Sequence, residues 1–222
     1  MNALKAKQIL SQEALKLIAC ITMLVDHIGT IFVPWEIPRI IGRISFPIFC
    51  FLLVEGVHHT RNTRRYGLRL LVGAIISELV YDLAFYGKPT WEASSVMITL
   101  LLGFGAMQII HSKHHIAIRI IGTILMIIAG EMLHCDFGAF GILLIILFEL
   151  TRKLPYKVII QTIGMIFLFT HIGGIALWGV LAIIPISLYS SKKRTYNKTI
   201  QYAFYLFYPV HLLVLYVISL IW

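Results

Sequence analysis

Nine long apolar runs occupy almost the whole chain, and they constrain its fold more than any other feature. They are Ala14–Val33, Ile37–Val57, Tyr66–Tyr86, Ser95–His111, Ile116–Leu133, Phe137–Leu150, Tyr156–Thr170, Gly174–Tyr189 and Ile200–Trp222. A helix needs about 20 largely apolar residues to cross the hydrocarbon core of a bilayer. These runs are continuous rather than alternating, which excludes a closed barrel. Composition agrees, with 59% of residues hydrophobic and 13% charged, against roughly 45–50% and about 25% in soluble domains. One globular core of this size has no means of hiding so much apolar surface. Disorder, a secreted disulfide scaffold and an ordinary cytosolic enzyme are set aside on the same ground. Cys20, Cys50 and Cys135 are too few and too apolar in setting for a disulfide framework. The sequence predicts a single all-α domain over residues 1–222, a polytopic transmembrane helix bundle of about nine spans.

The basic residues orient that bundle. Lys and Arg number 19 against 10 Asp and Glu, a net charge of +9 that in a soluble chain suggests nucleic acid. Here it resolves into sidedness, and no nucleic-acid partner is expected. Lys5 and Lys7 precede the first run, and Arg61, Arg64, Arg65 and Arg69 follow the second. Lys113 and Arg119 flank the gap after the fourth; Arg152, Lys153 and Lys157 follow the sixth; Lys192, Lys193, Arg194 and Lys198 follow the eighth. The alternate connections carry Arg39, Lys88, Glu36, Glu92, His134 and Asp136, or almost nothing at Ile172–Gly174. By the positive-inside rule the N-terminus is cytoplasmic and Trp222 is outside. No small-residue cleavage site follows Val33, so the first run reads as a retained span.

Ionisable groups within spans are costly and ordinarily face the bundle interior or a water-filled cavity. Lys16, Asp26 and His27 lie in the first span, Arg43 and Glu55 in the second, Glu78 and Asp82 in the third, and His211 in the last. At ~1.5 Å of rise per residue, His27 and Arg43 come out roughly 20 Å from the cytoplasmic edge, and Glu78 and His211 roughly 17–18 Å. Four helices therefore place polar groups in one layer. Lys16 and His27 are about three turns apart on one stripe. Arg39 and Arg43 share a face, Pro47 loosens the helix after them, and Arg43 needs an anionic partner: Asp26, Glu78 or a substrate. No metal is expected. His111, His114 and His115 straddle a short connection, no HExxH or paired-Cys motif is present, and His58 and His59 are likewise not read as ligands.

Six stretches resemble the TraX family, bacterial membrane proteins associated with N-terminal acetylation of pilin subunits. They are LKLIACITMLVDHIG (15–29), RIIGRISFPIFCFLLVEGVHHT (39–60), RRYGLRLL (64–71), SSVMITLLLGF (94–104), DFGAFGILLIILFEL (136–150) and FYLFYPVHLLVLY (204–216). They run in the family's order along nearly the whole chain. One departure is LYSSKKR (188–194), where the family tends to follow LY with Asn-Gly. Lys16-x10-His27 also looks like the basic-x10-His signature of the third acyltransferase family and related transmembrane acyltransferases.

These resemblances imply a multi-pass acetyltransferase of the bacterial cytoplasmic membrane, embedded in membrane lipid. It would carry an acetyl group from cytosolic acetyl-coenzyme A to an amine or hydroxyl of a peptide, sugar or lipid, with a pilin-like N-terminus implied by the family. His27 would be the catalytic base, with Asp26 or another acid fixing its tautomer. Arg43 would stabilise the thioester oxyanion or an acidic partner of the histidine. Lys16, Arg64, Arg65 and Arg69, with His58 and His59, would form a phosphate-binding mouth. Tyr208 and His211 would line the acceptor side, and Glu78 would support the layer. Direct transfer and an acetyl-histidine intermediate both remain open. The alternatives are a proton-coupled transporter using the same groups as a relay and a non-catalytic assembly factor with Arg43 and Glu78 as a structural ion pair.

Overall fold

The computed structural model describes residues 9–33, 35–191 and 198–221. Lys5, Lys7, Lys192, Lys193, Arg194 and Trp222, on which part of the topology reading rests, lie outside them. The described chain is all-helical. Its elements are α1 (Gln12–Ile31), α2 (Glu36–Gly42), α3 (Ser45–His59), α4 (Thr63–Tyr86), α5 (Val96–Ile110), α6 (Ile116–Met132), α7 (Gly138–Thr151), α8 (Lys157–Ile172), a 3₁₀ helix η1 (Gly174–Ala182), α9 (Ile183–Ser187) and α10 (Lys198–Ser219). The sequence signals at the helix ends are local. Ser11 caps α1 by accepting from the Ala14 N–H, and Asn62 caps α4 by accepting from the Arg65 N–H. Gly87 closes α4 in the left-handed region, at φ 69°.

Three stretches are long and apolar enough to cross a membrane: Gln12–Ile31, Glu36–His59 taken across the α2–α3 break, and Tyr202–Ser219. Val96–Ile110, Gly138–Thr151, Lys157–Ile172 and Gly174–Ser187 are apolar but shorter. Two expected spans are not single α-helices. The second breaks at Arg43–Ile44, because the Pro47 ring excludes the carbonyl of Arg43 from the helical ladder. The eighth is wound as 3₁₀ until Ala182; Pro185, lacking an N–H, removes the bond that would extend α9 back to Leu181.

Core and surface are arranged for an apolar surrounding. The α2–α3 stretch is 72% buried within the bundle, against 39% for α1 and 28% for the last helix, so α3 is the hub. Phe46, Ile48, Cys50, Leu53 and Val54 of α3 pack with Leu15, Ala19 and Met23 of α1 and with Leu144, Ile145 and Phe148 of α7. Outward faces are as apolar as the core: Ile118, Ile121, Ile124 and Leu125 on α6, and Leu68, Val72, Ile75 and Leu79 on α4, are all exposed. Asp26, His27, Glu55, Glu149 and His211 are buried instead. Short backbone pairings join the connections at each end. Ile9 N–H donates to Leu188 at 2.9 Å beside the start of α1, and Asp136 N–H donates to Ser94 at 3.1 Å at the opposite end. The first of these ends, which also carries Arg61, Arg64 and Arg65, is called the basic end below.

Candidate active site

The GRxSFP stretch builds the site from the backbone outward. Gly42 lies where any Cβ would overlap the Asp26 side chain, so its missing side chain seats the carboxylate against α2. The break one residue later turns Arg43 onto that carboxylate. Its Nη2 donates to Oδ1 at 3.0 Å and to Oδ2 at 2.9 Å. The Arg43 backbone carbonyl, released by Pro47, packs on Gly179 of η1. The 3₁₀ winding and the broken helix thus meet at the arginine. Arg43 also lies over the Phe137 ring, at 5.7 Å.

Asp26 does not fix the tautomer of His27, contrary to the sequence expectation, because Arg43 takes both carboxylate oxygens. The partner of His27 is His211, with Nδ1 and Nε2 2.8 Å apart. His211 Nδ1 lies 2.7 Å from the Phe207 carbonyl, which only accepts, so Nδ1 of His211 carries the proton. Its Nε2 is then the acceptor, and Nδ1–H of His27 donates to it. The chain of donors leaves Nε2 of neutral His27 with a lone pair. Phe85 packs against His27 edge-on at 5.3 Å, and Tyr208 does so at 6.2 Å.

Two cavities adjoin at Met23, Phe49, Val96 and Tyr208, which line both. The inner one, about 280 Å³, is lined by Asp26, His27, Arg43, Tyr81, Phe85 and Asp136. The outer one, about 670 Å³, reaches the basic end, where Lys16, His59, Arg61, Asn62, Arg65 and Arg69 line it. Lys16 Nζ sits 5.2 Å above the Phe204 ring, and Arg69 lies between Tyr66 and Tyr205 at 5.8 and 5.7 Å. Nε of Arg69 is shut off from solvent and has no hydrogen-bond partner, a donor in want of an anion. Asp136, in the connection before α7, is open to the inner cavity yet hemmed in by protein. That dehydrating setting raises its carboxyl above the ordinary carboxylate value, while Arg43 opposes the shift.

Other expected residues go elsewhere. Arg64 is exposed on α4 and lines neither cavity. His58 turns to Glu149 on α7, at 2.8 Å, and not to the cavity. His59 lines the outer cavity while its Nδ1–H donates to the Glu55 carbonyl at 2.7 Å, and Arg152 Nε donates to the Glu55 carboxylate at 3.2 Å. Glu78 is not paired with Arg43. It accepts from Ser95 N–H at 2.9 Å, and Asp82 from Thr90 N–H at 3.0 Å, so both α4 acids hold the connection to α5. Arg61, Asn62, Tyr81 and Asp136 are lining residues that sequence reasoning missed. Asp136 is the first residue of the quoted DFGAFG stretch; its place in a connection hid it among interfacial charges.

Comparison with known proteins gives the chain relatives along most of its length. The family model described as TraX protein matches residues 11–219. A probable fimbrial assembly protein FimC, serogroup H1, of Dichelobacter nodosus is 28% identical over 232 aligned residues, covering 90% of this chain and 92% of the relative. The uncharacterized protein RP591 of Rickettsia prowazekii (strain Madrid E) is 31% identical over 93 residues, or 41% of this chain and 34% of that protein. No solved structure matches.

Proposed function

The chain belongs to the TraX family, and from that premise we propose that it is a transmembrane acetyltransferase drawing acetyl-coenzyme A from the cytoplasm. In this reading it is an integral protein of the bacterial cytoplasmic membrane with about nine spans, the N-terminus and the basic end cytoplasmic, the C-terminus outside. The observation that carries the proposal is the pair of adjoining cavities, which leads from a basic rim to the lone pair on His27 Nε2. The buried, unpartnered Nε of Arg69 fits a phosphate-bearing donor there. Arg65, Arg61 and Lys16 would hold phosphates, and Asn62 and the aromatic wall of Tyr66, Tyr205 and Phe204 would flank the arm. The third acyltransferase resemblance of Lys16-x10-His27 points the same way, as expectation from likeness.

His27 is the proton acceptor. An amine that arrives cationic first sheds its ammonium proton to solvent. The free amine, or a hydroxyl, then attacks the thioester carbonyl, a C–N or C–O bond forms, the C–S bond breaks, and the proton lost in that step goes to His27 Nε2 while the thiolate leaves. His211 receives the Nδ1–H of the resulting imidazolium and keeps the ring in register. Arg43 stays committed to Asp26, and this fixed ion pair would act on the developing oxyanion as a held dipole rather than as a free charge. The acceptor enters from the end opposite the basic rim, where Asp136 lines the inner cavity and suits a cationic amine. The relative named for fimbrial assembly supports a pilin-type peptide N-terminus as that amine. The transporter alternative gains nothing from the geometry, since Asp26 is tied to Arg43 rather than left to exchange protons.

The test is purified protein in lipid nanodiscs supplied with acetyl-coenzyme A and a peptide bearing a free N-terminal amine. Thiol release matched one-to-one by acetylated peptide is expected, with His27→Ala binding the donor but not turning it over. Absence of both donor binding and thiol release across amine and hydroxyl acceptors would overturn the reading.

A further inference from the structure

At the basic end, three side chains from three helices converge on one point. His58 lies in the last turn of α3, His111 follows α5, and Glu149 lies in the last turn of α7. Nε2 of His111 is 2.7 Å from Oε1 of Glu149, and Nε2 of His58 is 2.9 and 2.8 Å from its two oxygens. One ligand atom from each residue lies within 4.8 Å of the others. The Glu149 side chain is 5% exposed, whereas that of His111 is 52% exposed, so the point is built inside and reachable from outside. Among the described residues, both ion pairs of Glu149 are with imidazoles. A divalent cation at this point would supply the counter-charge that a buried carboxylate requires.

From this geometry we propose that His58, His111 and Glu149 form a zinc site that clamps α3, α5 and α7 together beside the mouth of the outer cavity. Two imidazoles and one carboxylate suit Zn²⁺ and leave a fourth, tetrahedral position for water. Zinc bonds of about 2.0–2.2 Å separate such ligand atoms by roughly 3.3 Å. The two imidazole–carboxylate separations need to open by about half an ångström to admit the ion, and the third, between the imidazole nitrogens, lies within 4.8 Å. Each imidazole then turns an Nε2 lone pair to the metal and carries its proton on Nδ1, and the dication offsets the carboxylate. Motif reading misses such a site because its ligands lie at positions 58, 111 and 149, on separate helices. His59 and Thr60, next in the chain after His58, line the outer cavity, so the clamp would hold that rim in place. The site stands apart from His27 and does not depend on the acetyltransferase reading.

The experiment uses the full chain, purified with a tag that contains no histidine, stripped with chelator and dialysed against Zn²⁺. Metal content by mass spectrometry and competition with a zinc indicator should give one tightly held ion per chain and a higher Tm on zinc addition. His111→Ala removes a half-exposed side chain and should weaken binding by more than about 10-fold. His58→Ala should do the same, and His114→Ala, a histidine outside the cluster, should leave affinity unchanged. No stoichiometric zinc would overturn the proposal. So would zinc held equally by the parent chain and His111→Ala, or lost equally in His114→Ala.

Discussion

The chain holds two pairs of imidazoles, and they differ in what each pair ends on. His27 and His211 form a line that ends on the Phe207 carbonyl, a neutral acceptor. His58 and His111 converge on the Glu149 carboxylate. A line of neutral donors fixes tautomers and leaves one lone pair at its head, as a general base requires. A shared carboxylate instead gathers two Nε2 atoms and an oxygen around one point, the donor set that a cation site requires. The residue type is the same in both places. What the second ring touches decides the chemistry.

The largest expected effect breaks the first pair at its head. His27→Ala should reduce acetyl transfer by about 10²–10⁴-fold, the usual contribution of a positioned base, with donor binding retained. His211→Ala removes only the acceptor of the Nδ1 proton and should cost less, about 10–100-fold in kcat by analogy with lost orienting partners. Steady-state kinetics on both variants checks the order. Equal losses, or a larger loss in His211→Ala, would count against His27 as the base at the head of the line.

The next effect compares what each site does when its acid is neutralised. Asp26→Asn strands the Arg43 guanidinium, which cannot shed its charge, so a loss of about 3–5 kcal/mol in stability is expected. Glu149→Gln leaves imidazoles that can simply be neutral, and about 1–3 kcal/mol is expected from the imperfect hydrogen bonds alone. Denaturant titration in detergent distinguishes the two, and a Glu149→Gln loss as large as that of Asp26→Asn would break the comparison. Gly42→Ala falls in the same range on the first side. Its Cβ meets the Asp26 carboxylate, and overpacking of this kind costs about 1–3 kcal/mol.

Much of the helix layout was legible because an apolar run is a one-dimensional signal. The runs Ile116–Leu133 and Ser95–His111 differ from α6 and α5 by a residue at an end or two. Proline chemistry made Pro47 readable as a weak point, but not where the break would fall, since that depends on the carbonyl four residues earlier. The common depth of His27, Arg43 and His211 was legible from helical rise, and the structure brings these groups to one cavity or its wall. Their pairing was not. Asp26 and His27 are adjacent in sequence and therefore project to different sides of α1, one to Arg43 and one to His211. Glu78 shares the depth but faces Ser95, because depth along a helix says nothing of direction around it.

The smallest expected effect sharpens the comparison by asking what a third acid, with neither imidazoles nor its own arginine clamp, is for. Protein around Asp136 raises its carboxyl above the value of about 3.9 for an unperturbed Asp. The folded chain therefore binds more protons than the unfolded chain between that value and the raised one, and stability falls as pH climbs through this window. Above the window the ionised carboxylate, crowded by protein though open to the cavity, is a standing cost. Asp136→Asn should thus raise Tm slightly at neutral pH, with the gain shrinking as pH drops through the window and vanishing below it. The same variant should raise KM for an amine acceptor while leaving donor binding unchanged, if the charge is there to receive a cationic N-terminus. A stability gain paired with a loss in acceptor affinity marks a charge kept for binding. Loss of stability at neutral pH would instead make Asp136 a structural partner of Arg43, a second counter-ion on the Asp26 side of the first site.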